Sequence, residues 1–271
     1  MSDEKATARP LIAIHRGKEP ILITAIHSGH GLRPEIEHII ALDEQQRLRE
    51  EDPFTDAWIC IADNFILPQR SRFAVDLNRP RDEAVYTTPE DAWGLDLWKE
   101  PLDENAIQHS LEEYDLFYAQ LGEVLDEMLT KYKKIAIYDL HTYNYRRNGP
   151  QAEPAPTDEN PEINVGTGTM DRNYWEPVVT AFINQLSAFN YLDRQLDVRE
   201  NVKFKGRQFA QWVHTRYPNQ ICVISIEIKK FFMDEWSGMG DPIQIQALRQ
   251  ALSSTLSGVK KALFDIETKN A

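Results

Sequence analysis

KIAIYDL at Lys134–Leu140, with His141 directly after it, is the stretch that decides the fold. It is apolar on consecutive residues rather than on alternate ones, which predicts a strand covered by protein on both faces. PILITAI at Pro20–Ile26 and QICVISIEI at Gln220–Ile228 read the same way, and the short run Trp58–Ile61 is taken as another strand. Helical periodicity marks Glu104–Tyr132, Trp175–Phe189 and Pro242–Phe264. Strands alternating with helices predict a mixed or mostly parallel sheet sandwiched by helices. In sheets of that kind, ligands collect at the carboxyl ends of the strands.

Those ends carry the chemistry. His27 follows the first strand in AIHSGHG, His141 ends another in IYDLHTY, and Glu227 lies near the end of a third in ISIEIKK. A hydrolytic zinc takes three nitrogen, sulfur or carboxylate ligands and leaves the fourth position to water. A lone histidine at a strand end is ordinarily a satisfied polar residue; two, each beside small or acidic residues at a strand terminus, predict a metal site. Asp139, two residues before His141, shares its face on a strand and can orient the imidazole. For the third ligand, His30 and the acidic run REEDPFTD (Arg49–Asp56) are the candidates, with Glu51, Asp52 and Asp56 among them. Asp52 is taken ahead of Asp56. The plain alternative for that run is a solvated helix start with Asp52 as cap and Pro53 at the first helical position.

Composition bounds the rest. The 271 residues are 42% hydrophobic and 10% aromatic, which suffices for a buried core in one large α/β unit. A net charge of −13 argues against non-specific nucleic-acid binding and against an anionic membrane surface. The two cysteines, Cys60 and Cys222, sit in apolar runs and are expected to be buried, reduced core thiols, as in the cytoplasm. MSDEKATARP at the N-terminus has no apolar core and does not read as a secretory signal. Two long loops, Pro80–Pro101 with Trp93 and Trp98, and Asn148–Pro161, are placed at a substrate entrance. NVGTGT at Asn164–Thr169 lacks the Lys-Ser/Thr ending of a phosphate loop and is read as a turn lining the site.

AIHSGH, REEDPFTD, SRFAVDLNRP, YDLHTY and SIEIKKFFMDE, in that order, resemble the N-formylglutamate amidohydrolases from about His27 to Glu235. The DLNR tetrapeptide is also similar to the substrate-binding motif of the aspartoacylase and zinc carboxypeptidase superfamily. The resemblance implies a single-domain, three-layer α/β/α fold over residues 1–271 with one catalytic zinc. It implies His27 and His141 as the metal histidines and Arg72 as the group that polarises the scissile carbonyl. It further implies Asn78 and Arg79 as the clamp on a substrate carboxylate, and Glu227 as general base. The sequence departs from the larger superfamily at two places: His30 stands where an H-x-x-E pair would have its glutamate, and Arg72 is six residues before Asn78.

The expected activity is zinc-dependent hydrolysis of a small, carboxylate-bearing amide such as an N-acyl amino acid. A carboxypeptidase-like hydrolase of larger substrates, and a metal-dependent binder without turnover, are the competing readings. Glutamate inside ISIEI is costly to bury without a task or a partner, the bland partner being Lys229 or an arginine. His214 is read as structural, and Asn201, Lys205 and Gly206 as residues near the pocket. No G-x-S-x-G is present, and both cysteines fall in apolar runs, so a serine or cysteine hydrolase is not expected.

Overall fold

The computed structural model describes residues 11–269; the N-terminal segment 1–10, read above for a signal, lies outside them. Seven strands form one sheet in the order β1-β3-β2-β4-β7-β5-β6. These are β1 Ile12–His15, β2 Ile21–Thr24, β3 Asn64–Pro68, β4 Ile135–Tyr143, β5 Ile163–Gly166, β6 Val198–Glu200 and β7 Ile221–Lys229. The four pairings among β3-β2-β4-β7 and between β5 and β6 are parallel, whereas β1 and β5 pair antiparallel to β3 and β7. The sheet is therefore mixed and mostly parallel.

Each face is buried against its own helices. The helices are α1 Pro34–Glu37, α2 Glu44–Glu50, α3 Glu104–Leu129, α4 Glu176–Ala188, α5 Gln208–Arg216, α6 Pro242–Ser254 and α7 Leu256–Lys269. Ala136, Tyr138, Leu140, Cys222, Ile224 and Ile226 pack with α4, α6 and α7. Ile135, Ile137, Ile221 and Val223 pack on the other side with α3 and α5. Apolar residues of both parities on β4 and β7 are what make the strands read as continuous apolar runs. Among the described residues no helix is long and apolar enough to cross a membrane.

Four expectations are corrected. Trp58–Ile61 is no strand; it belongs to a 3₁₀ helix, Thr55–Ile61, entered through Phe54 at φ 69°. Trp58 anchors that turn, donating from Nε1 to the Ile245 carbonyl at 3.0 Å and packing on Phe232. A four-residue apolar run does not separate strand from helical turn. Cys60 consequently faces outward; Cys222 alone is a core thiol, and neither is in a disulfide. The Pro242–Phe264 helix is two helices, parted at Thr255, whose buried hydroxyl bonds Leu252 O and the Tyr138 hydroxyl of β4. Finally, the first three residues of the supposed turn Asn164–Thr169 belong to the buried strand β5, Ile163–Gly166.

Candidate metal and catalytic site

On the α3/α5 face, the apolar columns of β4 and β7 turn polar toward their carboxyl ends: Ile135 and Ile137 give way to Asp139 and His141, and Ile221 and Val223 to Ser225 and Glu227. The parallel register sets His141 beside Glu227. His27, three residues past β2, and Asp52, just beyond α2, come to the same place, and the Asp52 amide donates to the His27 carbonyl at 3.0 Å. Of the candidates for a third ligand, only Asp52 joins the two histidines. His27, Asp52 and His141 are all buried and offer ligand atoms within 4.8 Å of one another.

The donor atoms are identifiable. Asp52 Oδ2 lies 3.4 Å from His27 Nδ1 and 3.0 Å from His141 Nδ1. The far nitrogens are held by other carboxylates: His27 Nε2 by Asp76 Oδ1 at 2.7 Å, while His141 Nε2 lies 3.0 Å from Asp139 Oδ1 without hydrogen-bond alignment. Thr142 donates to the second oxygen of Asp52 at 3.1 Å. Ligand atoms about 2.0–2.1 Å from a tetrahedral zinc would be about 3.4 Å apart, so this donor set fits the ion. Its outer carboxylates are those that orient metal-binding imidazoles. Burial works against charge on Asp52, yet bonds from His141 and His27 hold its carboxyl well below the usual range. Burial would likewise lower His141, but Asp139 and Asp52 raise it well above the ordinary imidazole value. A buried pocket that keeps carboxylates ionised favours a cation.

These residues face a cavity of about 100 Å³. Glu227 borders it, and its side chain makes no hydrogen bond or ion pair among the described residues. Lys229, its supposed structural partner, donates instead to the Asn160 carbonyl at 2.8 Å. Burial lifts the Glu227 carboxyl to about 7, against the pull of His141.

Arg72 lines the cavity, donating to Asp76 Oδ2 at 2.7 Å and to the Glu50 carbonyl at 3.2 Å, with Trp93 stacked on its guanidinium. Asp76 also accepts from the Tyr86 hydroxyl and the Asn78 amide, so it joins His27, Arg72 and the DLNR turn. Asn78 is on the cavity wall, accepting the Phe209 amide of α5 at 3.1 Å. Arg79 is not on that wall. Its guanidinium lies over Tyr86 and donates to the Asp91 carbonyl at 2.5 Å, beside a neighbouring cavity.

Sequence reasoning passed over Arg207. It borders both this cavity and the neighbouring one, and its guanidinium has no partner among the described residues. The signal for it was faint: an arginine one residue before a helix, after a glycine, in KFKGRQ. Asn164, opposite Glu227 in register, holds this segment by accepting the amides of Lys203 and Phe204 and donating to Phe204 O. Lys230 was also passed over; it lines the cavity with its ammonium on the carbonyls of Arg49 and Glu51.

Of the two loops, Pro80–Pro101 contributes Trp93 to the cavity, whereas Trp98 is tied to Tyr86 O. No residue of Asn148–Pro161 borders it; Arg147, just before, does. Asn201 bonds Thr167, and His214 bridges the Val223 amide and the Thr169 hydroxyl, away from the cavity. His30 faces Glu51 rather than the His27–Asp52–His141 cluster, and Asp56 is exposed.

Residues 19–233 match the profile of a family described as N-formylglutamate amidohydrolase. No curated protein matches the chain at the sequence level. Among solved structures, the N-formylglutamate amidohydrolase from Ralstonia eutropha JMP134 is 16% identical with a TM-score of 0.68, covering 93% of this chain and 96% of that one. A gene product from Agrobacterium tumefaciens is also 16% identical, with a TM-score of 0.64 and coverage of 92% and 96%. At that identity the structures show a shared fold.

Proposed function

The chain belongs to the N-formylglutamate amidohydrolase family, and from that premise we propose that it is a zinc-dependent hydrolase of the amide bond in an N-acyl amino acid such as N-formylglutamate. The observation that carries this reading is the meeting of two Nδ1 atoms and one carboxylate beside Glu227, whose side chain makes no hydrogen bond or ion pair among the described residues. Zinc held by His27, Asp52 and His141 would polarise a carbonyl and acidify water, the chemistry that amide hydrolysis needs. Asp76 and Asp139 orient the two imidazoles from behind.

Glu227 accepts the proton of the attacking water and returns it to the departing amine nitrogen, so the group ends the cycle as it began. A carboxyl lifted toward neutrality by burial suits both tasks. Arg72, oriented by Asp76, faces the oxygen on which charge develops. Asn78 and Arg207 hold the substrate carboxylate, Arg207 through a planar fork that makes no hydrogen bond or ion pair among the described residues. Arg79, assigned to that clamp by motif alone, stands behind the wall and steadies the DLNR turn. Two free thiols suit a reducing cytoplasm.

Dialysis against a chelator followed by zinc add-back tests the proposal. Hydrolysis of N-formyl and N-acetyl amino acids should vanish with the metal and return with about one equivalent of zinc per chain. Undiminished hydrolysis by metal-free protein would sink the reading, and preference for short peptides would redirect it to a carboxypeptidase-like substrate.

A further inference from the structure

Two residues considered as metal ligands from sequence, His30 and Glu51, meet each other instead. Glu51 is 1% exposed, and a carboxylate at that depth is costly unless it is fully bonded. His30 Nδ1 approaches its Oε2 at 2.5 Å, and Ser71 Oγ donates to its Oε1 at 2.5 Å. Arg47 closes the set, donating to the His30 carbonyl at 3.0 Å and lying 2.9 Å from His30 Nε2. A guanidinium only donates, so Nε2 is the acceptor and the imidazole proton sits on Nδ1, facing Glu51.

Arg47 also pairs with the Glu51 carboxylate at 3.7 Å, and Glu51 and the two side chains hydrogen-bonded to it are each next to, or in the same turn as, a residue of the site. Glu51 precedes Asp52, Ser71 precedes Arg72, and His30 shares the turn of His27. Backbone bonds run in parallel: Asp52 N to His27 O at 3.0 Å and Ser71 N to Gly31 O at 2.9 Å. From the far side, Lys230, three residues past Glu227, donates to the Glu51 carbonyl at 2.9 Å. None of Glu51, His30 and Ser71 borders the catalytic cavity.

We propose that Glu51 is a positioning residue, whose bonds to His30 and Ser71 set the placement of Asp52 and His27 as zinc ligands and of Arg72 beside them. This rests on the metal reading above. The structural reason is that the backbone joins these segments only through short links, the Gly31–Arg70 bridge between the turn after β2 and the turn after β3 and the bond from Asp52 N to His27 O among them. The Glu51 carboxylate adds a side-chain link from the end of α2 to both turns. Outer partners of metal ligands change affinity by about 10–100-fold when removed.

The test compares Glu51→Ala, Glu51→Gln and Ser71→Ala in the full chain. Zinc affinity is measured by competition with a chromophoric chelator, the ligand field by the visible spectrum of the cobalt(II) protein, and folding by thermal melts of the metal-free forms. Glu51→Ala is expected to lose about tenfold or more in zinc affinity and to change the cobalt spectrum. Glu51→Gln, which still accepts from His30 and pairs its amide with Ser71, should restore most of both. A folded Glu51→Ala protein with wild-type zinc affinity and cobalt spectrum overturns the proposal. Where Glu51→Ala does not fold, Ser71→Ala decides: several-fold weaker zinc with an altered spectrum supports it, and unchanged values overturn it. Wild-type protein that binds no zinc overturns the metal reading, and this proposal with it; normal wild-type binding with unaffected variants overturns the positioning role alone.

Discussion

Glu227 and Arg207 share a property that separates them from the other charged side chains around the cavity: among the described residues, neither side chain makes a hydrogen bond or ion pair. Asp52, Asp76 and Arg72 are all engaged. A charged group held beside a cavity without a partner is available to substrate, and the two free groups have opposite signs. For Glu227→Gln we expect zinc content to stay near one per chain while kcat falls by about 10²–10⁴, the range for loss of a general base; metal analysis beside turnover would check this, and a variant with normal turnover would reject the assignment. The pH profile follows from the same residue. Below its pKa Glu227 is protonated and cannot accept a proton, so kcat/KM should rise with pH along an acidic limb. Burial lifts that carboxyl from 4.5 to about 7, and a bound cation would draw it back down, so the limb belongs between those values and should be absent from the residual rate of Glu227→Gln. Arg207→Ala should raise KM by about 10-fold or more with a smaller change in kcat, because a clamp on a distant carboxylate holds ground state and transition state alike. Arg79→Ala should do less. An equal KM effect at the two positions would mean that Arg79 swings into the cavity on binding. The sequence pointed to Arg79 because DLNR is a motif, but a motif places a backbone; where a long guanidinium ends depends on Tyr86 and Asp91, which no spacing encodes.

At the level of elements, the central strands were legible for a reason that also made the site legible. In β4 and β7 both faces are buried, so a polar residue breaks the pattern visibly, and Asp139, His141 and Glu227 do so at neighbouring positions of one face. Where strands are short or at the sheet margin, as in β1, β3 and β6, no long apolar run marks them. Trp58–Ile61 was misread because two buried residues followed by an exposed cysteine suit a turn as well as a strand. Which acidic residue joins the two histidines was open because Asp52 reaches them through the turn after α2, and the path of a turn is tertiary information. One contact there is sharp enough to test. The turn carrying His27 and His30 lies against residues 69–71, and a Cβ on Gly29 would come within 2.2 Å of the Arg70 carbonyl oxygen. Backbone cannot yield as a flexible side chain does, so Gly29→Ala should destabilise the fold by about 1–3 kcal/mol, the range for overpacking. Because the displaced turn holds His27, zinc affinity should fall as well. Urea denaturation of the metal-free protein with a parallel zinc titration measures both, and a variant with unchanged midpoint and affinity would show that the two turns can separate freely.

Across the whole molecule, the pH dependence of stability contains a contribution from a histidine that does not border the cavity. His214 of α5 accepts the Val223 amide of β7 at 3.0 Å and bonds Thr169 beyond β5, so it fastens a helix to the sheet centre as a neutral ring. Burial depresses its pKa from 6.5 to about 4. The unfolded chain therefore binds more protons than the folded one between those values, and stability must rise with pH across that window. The contribution is complete above about pH 6.5 and is lost as the pH falls toward 4. At one pKa unit per 1.36 kcal/mol the full loss is about 3 kcal/mol, and the part between pH 7 and pH 5 is about 2 kcal/mol. Other groups titrate in the same range, His141 with the opposite sign, so the wild-type slope alone cannot be assigned. The difference between wild type and His214→Gln removes the common terms, provided a chelator keeps both proteins metal-free. Glutamine can accept the same amide proton and does not titrate. Urea denaturation at pH 7 and pH 5 should show the variant less stable than wild type at pH 7 and closing that gap by about 2 kcal/mol at pH 5. A gap that is the same at both pH values would mean that His214 protonates in the folded protein without losing its contacts, and that the link between α5 and the sheet does not depend on a neutral ring.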